Sequence, residues 1–156
     1  MKRHLAFTGF MGSGKSTIAK TIAQQSGISF IDLDEYIENK EKTSISEIFE
    51  SKGEKYFREI ETKYLIEVLN IKENSVIALG GGTICFNNNL QIVKENCWLI
   101  ALLPPLDILL ERLWNDKIKR PLLKNISTKE ELKIYIQNKL NERMPFYLQA
   151  DWVVQK

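Results

Sequence analysis

The feature of this sequence that most constrains its fold is a glycine-rich segment near the amino terminus. Residues 9–16 read Gly-Phe-Met-Gly-Ser-Gly-Lys-Ser and match the GxxxxGK[ST] pattern of a phosphate-binding P-loop. In such a loop, glycines let backbone N–H groups surround a phosphate, the lysine adds positive charge, and the serine hydroxyl offers a ligand to Mg²⁺. Apolar residues 5–7 precede the motif and a helical pattern over 15–25 follows it, as this mechanism requires. The segment therefore predicts a strand–loop–helix unit that binds phosphate, and a glycine turn with an incidental lysine is the alternative.

Short apolar segments alternate along the chain with longer segments of helical periodicity. The five apolar segments, four of them almost continuously apolar, lie at residues 5–7, 28–31, 76–79, 98–102 and 152–154. Continuous apolar runs are typical of parallel strands that helices cover on both faces, so Trp98 and Trp152 are expected in the sheet core. Capping-box patterns at residues 44–47 and 127–130 predict two helix starts. The 156 residues therefore predict one α/β domain with a mainly parallel sheet, whose ligands bind beyond the carboxyl ends of the strands.

Composition and charge exclude several classes of protein. The chain has 22 Lys and Arg residues against 20 Asp and Glu, and a net charge of +2 gives no general reason to bind nucleic acid or an acidic membrane. The apolar segment 98–110 is broken by two prolines and is too short to span a bilayer. Two cysteines, Cys85 and Cys97, and one histidine cannot form a Cys/His zinc site, so we expect reduced, buried cysteines and an exposed His4. We expect a cytoplasmic protein that binds neither nucleic acid nor membrane.

A P-loop alone does not distinguish kinases, GTPases and ATPases. A GTPase would carry an NKxD motif for guanine, but residues 39–42 read Asn-Lys-Glu-Lys, and the DxxG pattern is absent from the sequence. The chain is also too short for a motor ATPase with its additional elements. A small-molecule kinase remains, and the rest of the sequence must indicate its acceptor.

Carboxylates, arginines and glycines beyond the P-loop are candidates for the acceptor side of such a kinase. Asp32 and Asp34 end the second predicted strand, where alternate residues project the same way, so one carboxylate could hold water on Mg²⁺ and the other orient an acceptor hydroxyl. In the alternative interpretation, Asp34 caps a helix and Asp32 lies on the surface. Three glycines, residues 80–82, end the third predicted strand and permit close approach of the backbone to a ligand. Arginine pairs bidentately with carboxylate or phosphate, and the candidates, each also compatible with a solvated surface charge, are Arg58, Arg120 and Arg143.

Taken together, these motifs resemble those of the shikimate kinase family. The family pattern contains, in order, the P-loop, DxD, GExxFRxxE, GGG, RPLL and RxxxY. Here the motifs occupy residues 9–16, 32–34, 53–61, 80–82, 120–123 and 143–147, and the resemblance covers residues 4 to about 154. It implies a five-stranded parallel sheet in the order 2-3-1-4-5 and transfer of the ATP γ-phosphate to the 3-hydroxyl of shikimate, a step in making aromatic amino acids. Two alternatives stay open: a P-loop kinase of another small anionic acceptor such as gluconate, and a nucleotide-binding module without catalysis.

The resemblance also implies roles on the nucleotide side of the site. Lys15 would stabilise the transferring phosphoryl group, Ser16 would bind Mg²⁺, and Asp32 would assist through water. Residues 114–126 would form a mobile lid that brings Arg120 to the ATP phosphates as a third catalytic group beside Lys15 and Asp34. The remaining expected ATP contacts are Gly12, Ser13, Gly14, Thr17 and Arg112, with Arg112 stacking on adenine.

On the acceptor side, the resemblance implies that helices over residues 33–61 bind shikimate. Asp34 would hold the acceptor hydroxyl and is the candidate base. Arg58 and Arg143 would clamp the shikimate carboxylate, assisted by Gly80, Gly81 and Gly82. The family pattern continues past the last strand into an adenine-contacting loop and a further helix, whereas this sequence ends at Lys156. We therefore expect Arg112 to carry more of the adenine contact, and we expect a monomer.

Overall fold

Five parallel strands form the sheet that the apolar segments predict. In the computed structural model, which describes residues 1–155, the strand order is β2-β3-β1-β4-β5. Each neighbouring pair of strands is parallel, and the strands are β1 His4–Gly9, β2 Ser29–Asp32, β3 Ser75–Ala78, β4 Cys97–Leu102 and β5 Trp152–Val154. The predicted α/β class and the implied strand order 2-3-1-4-5 are both confirmed.

Helices connect the strands and cover the sheet. Over residues 1–155 the α-helices are α1 Lys15–Ser26, α2 Leu33–Glu41, α3 Ile45–Leu69, α4 Asn89–Asn96, α5 Leu106–Asn115 and α6 Lys129–Tyr147. Helix α3 is kinked at Gly53, and short 3₁₀ turns occur at Thr83–Cys85, Lys117–Lys119 and Pro121–Leu123. None of the helices in this part of the chain combines the length and the apolar character needed to cross a membrane.

Alternate residues of the central strand pack into separate cores on the two faces of the sheet. Ala6 of β1 packs in the larger core, which contains residues of α3 and α4. Its neighbour Phe7 packs with Ala19 and Ala23 of α1. Such alternation follows from the two-residue repeat of a strand. Phe10, just after β1, is fully buried in a third cluster with residues of α5 and α6, so the loop that follows the strand begins from an anchored residue.

Two expectations about individual side chains are wrong. His4 is buried, and its Nε2 atom lies 3.2 Å from the carbonyl oxygen of Leu69, because α3 ends over the beginning of β1. Trp98 and Trp152 remain 48% and 52% exposed. They lie on the face of the sheet that α1 packs against, but α1 covers β1, β3 and β2 rather than β4 and β5. The two indole rings pack against each other with centroids 5.5 Å apart. The two cysteines are unpaired thiols, as expected; Cys97 is buried as expected, whereas Cys85 is only partly buried.

The two predicted helix starts are present, but their capping differs in detail. Ser44 accepts a hydrogen bond from the Glu47 N–H at 3.1 Å, as predicted, while the Glu47 carboxylate accepts from the Thr43 hydroxyl instead of reaching back to Ser44. The second box is shifted by one residue: Thr128, not Ser127, caps α6 and accepts from the Glu131 N–H at 3.1 Å. Two adjacent hydroxyl residues followed by two adjacent glutamates make both registers compatible with the sequence pattern.

Candidate active site

The predicted P-loop connects β1 to α1 at the carboxyl edge of the sheet. Gly14 immediately precedes α1 with φ 89°, a left-handed conformation that favours glycine, and Lys15 begins the helix. Gly12 also has positive φ, and a Cβ atom placed there would lie 3.1 Å from Leu113 of α5. The loop therefore holds its backbone, Lys15 and Ser16 at the positive end of α1, where an anion is favoured.

Lys15 lies in a cluster of charged side chains drawn from four parts of the chain. Burial lowers the pKa of Lys15, while the negative charges of Asp34 and then Asp32 oppose this shift and the positive charges of Arg120 and Arg143 add to it. Burial raises the pKa of Asp34 to about 6, and the charge of Lys15 opposes this shift. The structure thus brings together the predicted phosphate-side groups Lys15 and Arg120 with the acceptor-side groups Asp34 and Arg143.

The position of Asp32 in the structure differs from both interpretations of the sequence. Strand β2 ends at Asp32, and Leu33 begins α2, so the argument from strand alternation is wrong for Asp34. The alternative is wrong as well, because Asp32 is the helix cap: its Oδ1 accepts from the N–H groups of Asp34 at 3.0 Å and Glu35 at 3.2 Å. Its Oδ2 accepts from the Ser16 hydroxyl at 3.0 Å. One carboxylate therefore joins the beginning of α2 to the P-loop.

The neighbouring oxygens of Ser16 and Asp32 fit Mg²⁺. This ion prefers oxygen ligands, keeps several waters and is often held by one or two protein groups together with phosphate oxygens. Among residues 1–155, clusters of three or more histidine, cysteine or acidic side chains suited to a metal do not occur.

The three glycines after β3 lie against three of the predicted acceptor-side residues. A Cβ atom placed on Gly80 would lie 2.9 Å from Oδ1 of Asp34, and one on Gly82 would lie 3.0 Å from Nη2 of Arg58. A Cβ atom on Gly81 would lie 3.3 Å from Nη1 of Arg143. One loop therefore adjoins all three residues, Asp34, Arg58 and Arg143. Side chains at these positions would occupy the space that the carboxylate and the guanidinium groups now fill.

Arg58 is held in place by residues to which the sequence assigns no role. Its Nη1 donates to Oε1 of Glu61 at 2.7 Å, and its guanidinium lies 3.9 Å from the ring centroid of Phe86. Glu61 is 1% exposed, and its second oxygen accepts from the Thr83 hydroxyl at 2.9 Å. Only the i, i+3 spacing of Arg58 and Glu61 on a helix could have indicated the ion pair, since Thr83 and Phe86 are remote in sequence.

A second group without a predicted role is the Tyr147 hydroxyl. Tyr147 ends α6, is fully buried, and donates to the carbonyl oxygen of Gly81 at 2.6 Å. It lies one helical turn after Arg143, and this i, i+4 spacing is the signal that relates the two residues in the sequence.

The other two predicted arginines lie near the P-loop. Arg112, near the end of α5, donates from Nη1 to the carbonyl oxygen of Gly12 at 2.9 Å, so it contacts the P-loop backbone. Arg120 lies between the two 3₁₀ turns of the predicted lid and is partly buried. Its Nε has no hydrogen-bond partner among residues 1–155. Leu123 of the same segment is fully buried against α5 and α6, which anchors one end of the segment.

Comparison with known proteins gives a consistent result. A family model described as shikimate kinase matches residues 11–156. A shikimate kinase of Azobacteroides pseudotrichonymphae is 42% identical over 97% of this chain and 88% of its own length, and one of Flavobacterium johnsoniae is 42% identical over 94% and 85%. The crystal structure of a shikimate kinase from Bacteroides thetaiotaomicron superimposes with a TM-score of 0.91 and 36% identity, covering 97% of this chain and 85% of that one. A shikimate kinase from Acinetobacter baumannii, solved in complex with shikimate, gives a TM-score of 0.87 and 32% identity over 100% and 84%.

Proposed function

The chain belongs to the shikimate kinase family and is an enzyme that phosphorylates shikimate with ATP, and we propose how its residues divide this reaction. The observation that carries the proposal is the loop of three glycines, which adjoins Asp34, Arg58 and Arg143 while Lys15 faces Asp34 from the P-loop. A carboxylate base, two guanidinium groups and a phosphate-binding lysine at one place suit a small anionic acceptor that carries a hydroxyl.

On the nucleotide side, the backbone of Gly12, Ser13 and Gly14 and the beginning of α1 hold the phosphates, with Ser16 and Thr17 in the first turn of that helix. Lys15 neutralises charge on the transferring phosphoryl group, and Arg120 adds a second positive charge from the lid segment 114–126. Arg112, which lies against the P-loop at Gly12, contacts the adenine. Closure of the lid segment excludes water, which would otherwise compete as phosphoryl acceptor.

Ser16 and Asp32 would hold Mg²⁺, Ser16 directly and Asp32 through water. Such an ion would supply positive charge next to the ATP phosphates. The capping hydrogen bonds from α2 and the Ser16 hydroxyl fix the orientation of the Asp32 carboxylate beside the P-loop.

On the acceptor side, Arg58 and Arg143 bind the shikimate carboxylate, assisted by the backbone of the glycine loop, and this places the 3-hydroxyl beside Asp34. The hydroxyl oxygen forms a bond to the γ-phosphorus, the bond from that phosphorus to the β–γ bridging oxygen breaks, and ADP leaves. Asp34 accepts the hydroxyl proton. With a pKa of about 6, Asp34 is mostly ionised near neutral pH and is able to take that proton.

The direct test of this division is substitution of the phosphate-side lysine. We expect Lys15→Ala to lower turnover by about a thousandfold or more, because a positive charge at the transferring group is lost. Lys20→Ala is the matched control, since Lys20 lies on the same helix and is exposed. ADP release with Mg-ATP and shikimate measures both. Wild-type turnover in Lys15→Ala, or an equal loss in Lys20→Ala, contradicts the assignment.

We propose that a single domain over residues 1–156, a cytoplasmic monomer, carries out this reaction.

A further inference from the structure

The glycine loop after β3 has little local restraint of its own. Three consecutive glycines, Gly80, Gly81 and Gly82, have the greatest conformational freedom of any tripeptide and carry no side chains that could pack. One hydrogen bond within the loop, from the Thr83 N–H to the Gly80 carbonyl at 3.2 Å, fixes the peptide plane between Gly80 and Gly81. The plane between Gly81 and Gly82 is fixed from elsewhere in the chain, by the hydrogen bond that the Gly81 carbonyl accepts from Tyr147 at 2.6 Å.

That hydrogen bond determines where the N–H groups of the loop point. In a trans peptide, the carbonyl and the following N–H point in opposite directions, so holding the Gly81 carbonyl toward Tyr147 directs the Gly82 N–H away from α6. Within the described residues, neither the Gly81 N–H nor the Gly82 N–H donates a hydrogen bond. Both groups are available to an anion, and the direction of the Gly82 N–H depends on Tyr147.

Tyr147 also sets the spacing between the two arginines of the acceptor side. Arg143 lies one turn earlier on α6, with Nη1 close to Gly81, whereas Arg58 comes from α3 and approaches Gly82. The glycine loop is thus the spacer between the two guanidinium groups, and the Tyr147 hydroxyl connects α6 to that spacer. Because burial raises the pKa of this hydroxyl, it remains a proton donor throughout the working pH range.

We propose that Tyr147 is a positioning residue for the acceptor carboxylate. Its hydroxyl holds the Gly81 carbonyl, and it thereby sets both the orientation of the Gly82 N–H and the spacing between Arg58 and Arg143. The inference rests on the proposed function and adds to it a residue that acts through the glycine loop.

The test is Tyr147→Phe, which removes one oxygen and keeps the ring. The chain provides a matched control in Tyr64→Phe: Tyr64 is also a buried tyrosine, and its hydroxyl donates to Glu41 at the same distance of 2.6 Å. For Tyr147→Phe we expect the KM for shikimate to rise about 3- to 10-fold, the scale of one lost hydrogen bond, with the KM for ATP unchanged and kcat within about 2-fold. We expect Tyr64→Phe to leave all three constants at the wild-type values.

A second readout separates positioning from general loosening of the fold. The neutral carboxamide of shikimate has the same ring and hydroxyls but no carboxylate charge. We expect Tyr147→Phe to reduce the preference for shikimate over this amide, expressed as the ratio of their kcat/KM values, and Tyr64→Phe to preserve it. Both the ratio and KM are independent of the fraction of protein that is folded.

The outcomes are distinct. If the wild type turns over shikimate and Tyr147→Phe keeps both its KM for shikimate and its acid-to-amide preference, the positioning role of Tyr147 is wrong while the proposed function stands. An equal rise in the KM values for ATP and shikimate also contradicts the role. A wild-type protein that does not turn over shikimate contradicts the proposed function, and this inference with it.

Discussion

At the scale of single residues, the proposed reaction depends on two partly buried groups of opposite charge, Lys15 and Asp34, each of which opposes the pKa shift of the other. Burial disfavours the charged form of both, so the pKa of Asp34 rises and that of Lys15 falls, while the attraction between them limits each shift. A base needs a pKa near the working pH, and Asp34, at about 6, has moved toward it from its ordinary value of 3.8. In the proposed reaction, the desolvation that strengthens the interaction of Lys15 with phosphate would therefore also adjust the pKa of the base, Asp34.

The raised pKa of Asp34 predicts an acid limb in the pH profile. Below about pH 6 the carboxyl is increasingly protonated and cannot accept the hydroxyl proton, so kcat/KM for shikimate should fall about tenfold per pH unit. Above that pH the carboxylate is ionised and the limb should level off. The measurement is initial rate at low shikimate and saturating Mg-ATP between about pH 4.5 and pH 8. ATP affinity over the same range is the control, and a profile that stays flat down to about pH 4.5 contradicts the role of Asp34 as base.

Asp32 and Asp34 were predictable from the sequence as site residues, but their positions in the strand and the helix were not. The DxD spacing is compatible with a strand end, a helix cap or both. In each of these arrangements the two carboxylates could lie near Lys15, so their expected place in the site does not distinguish them. The choice depends on where β2 ends, and this is decided by the hydrogen bonds that Asp32 accepts from α2 and Ser16. The contacts of Glu61 were missed for a related reason: Glu61 bonds to both Arg58 and Thr83, and it meets Thr83 only after α3 and the glycine loop pack together.

At the scale of secondary structure elements, the turn that follows β3 arranges the acceptor side. Gly80 and Gly82 do not have positive φ, so both are compatible with alanine in backbone conformation. What requires glycine there is space, since a methyl group would meet Asp34 at one position and Arg58 at the other. Each glycine therefore adjoins a different part of the proposed chemistry.

Alanine substitutions at these two glycines should separate binding from chemistry. Gly82→Ala places a methyl group 3.0 Å from Arg58, so we expect a KM for shikimate about 3- to 10-fold higher with kcat nearly unchanged. Gly80→Ala places a methyl group 2.9 Å from the Asp34 carboxylate and from the Thr83 hydroxyl, so we expect a fall in kcat of about tenfold or more. Steady-state kinetics with both substrates measures the split. Identical effects of the two variants, or none, would show that the loop does not separate the two groups.

The elements themselves were largely predictable. All five strands overlap the apolar segments that predict them. The argument from coverage on both faces holds for the central strands β1 and β3, which are buried at nearly every position. The residue that caps α6 was not predictable, because Ser127 and Thr128 are both competent caps and only the packing of α6 selects between them.

At the scale of the whole molecule, residues far apart in the sequence meet at one edge of the sheet. Arg58 on α3 and Arg143 on α6 approach adjacent glycines of one loop, and Arg120 acts on Lys15 across the same site. Residue types alone left each arginine compatible with a surface charge, and only the ordered set of motifs related them. At Trp98 and Trp152 the prediction was wrong in the opposite direction, because the apolar strands predicted burial and both side chains are about half exposed. A strand's own sequence does not reveal whether a helix covers that face, and here α1 lies over the other strands.

The measurement that tests the central claim most directly is ADP release by the wild-type protein with Mg-ATP and a panel of acceptors. The panel contains shikimate, gluconate, nucleoside monophosphates and a reaction without acceptor, because a hydroxyl acceptor with a carboxylate is what Asp34, Arg58 and Arg143 together suit. We predict turnover with shikimate well above every other reaction. Turnover with gluconate or a nucleotide but not with shikimate, or ADP release that does not depend on any acceptor, would contradict the account.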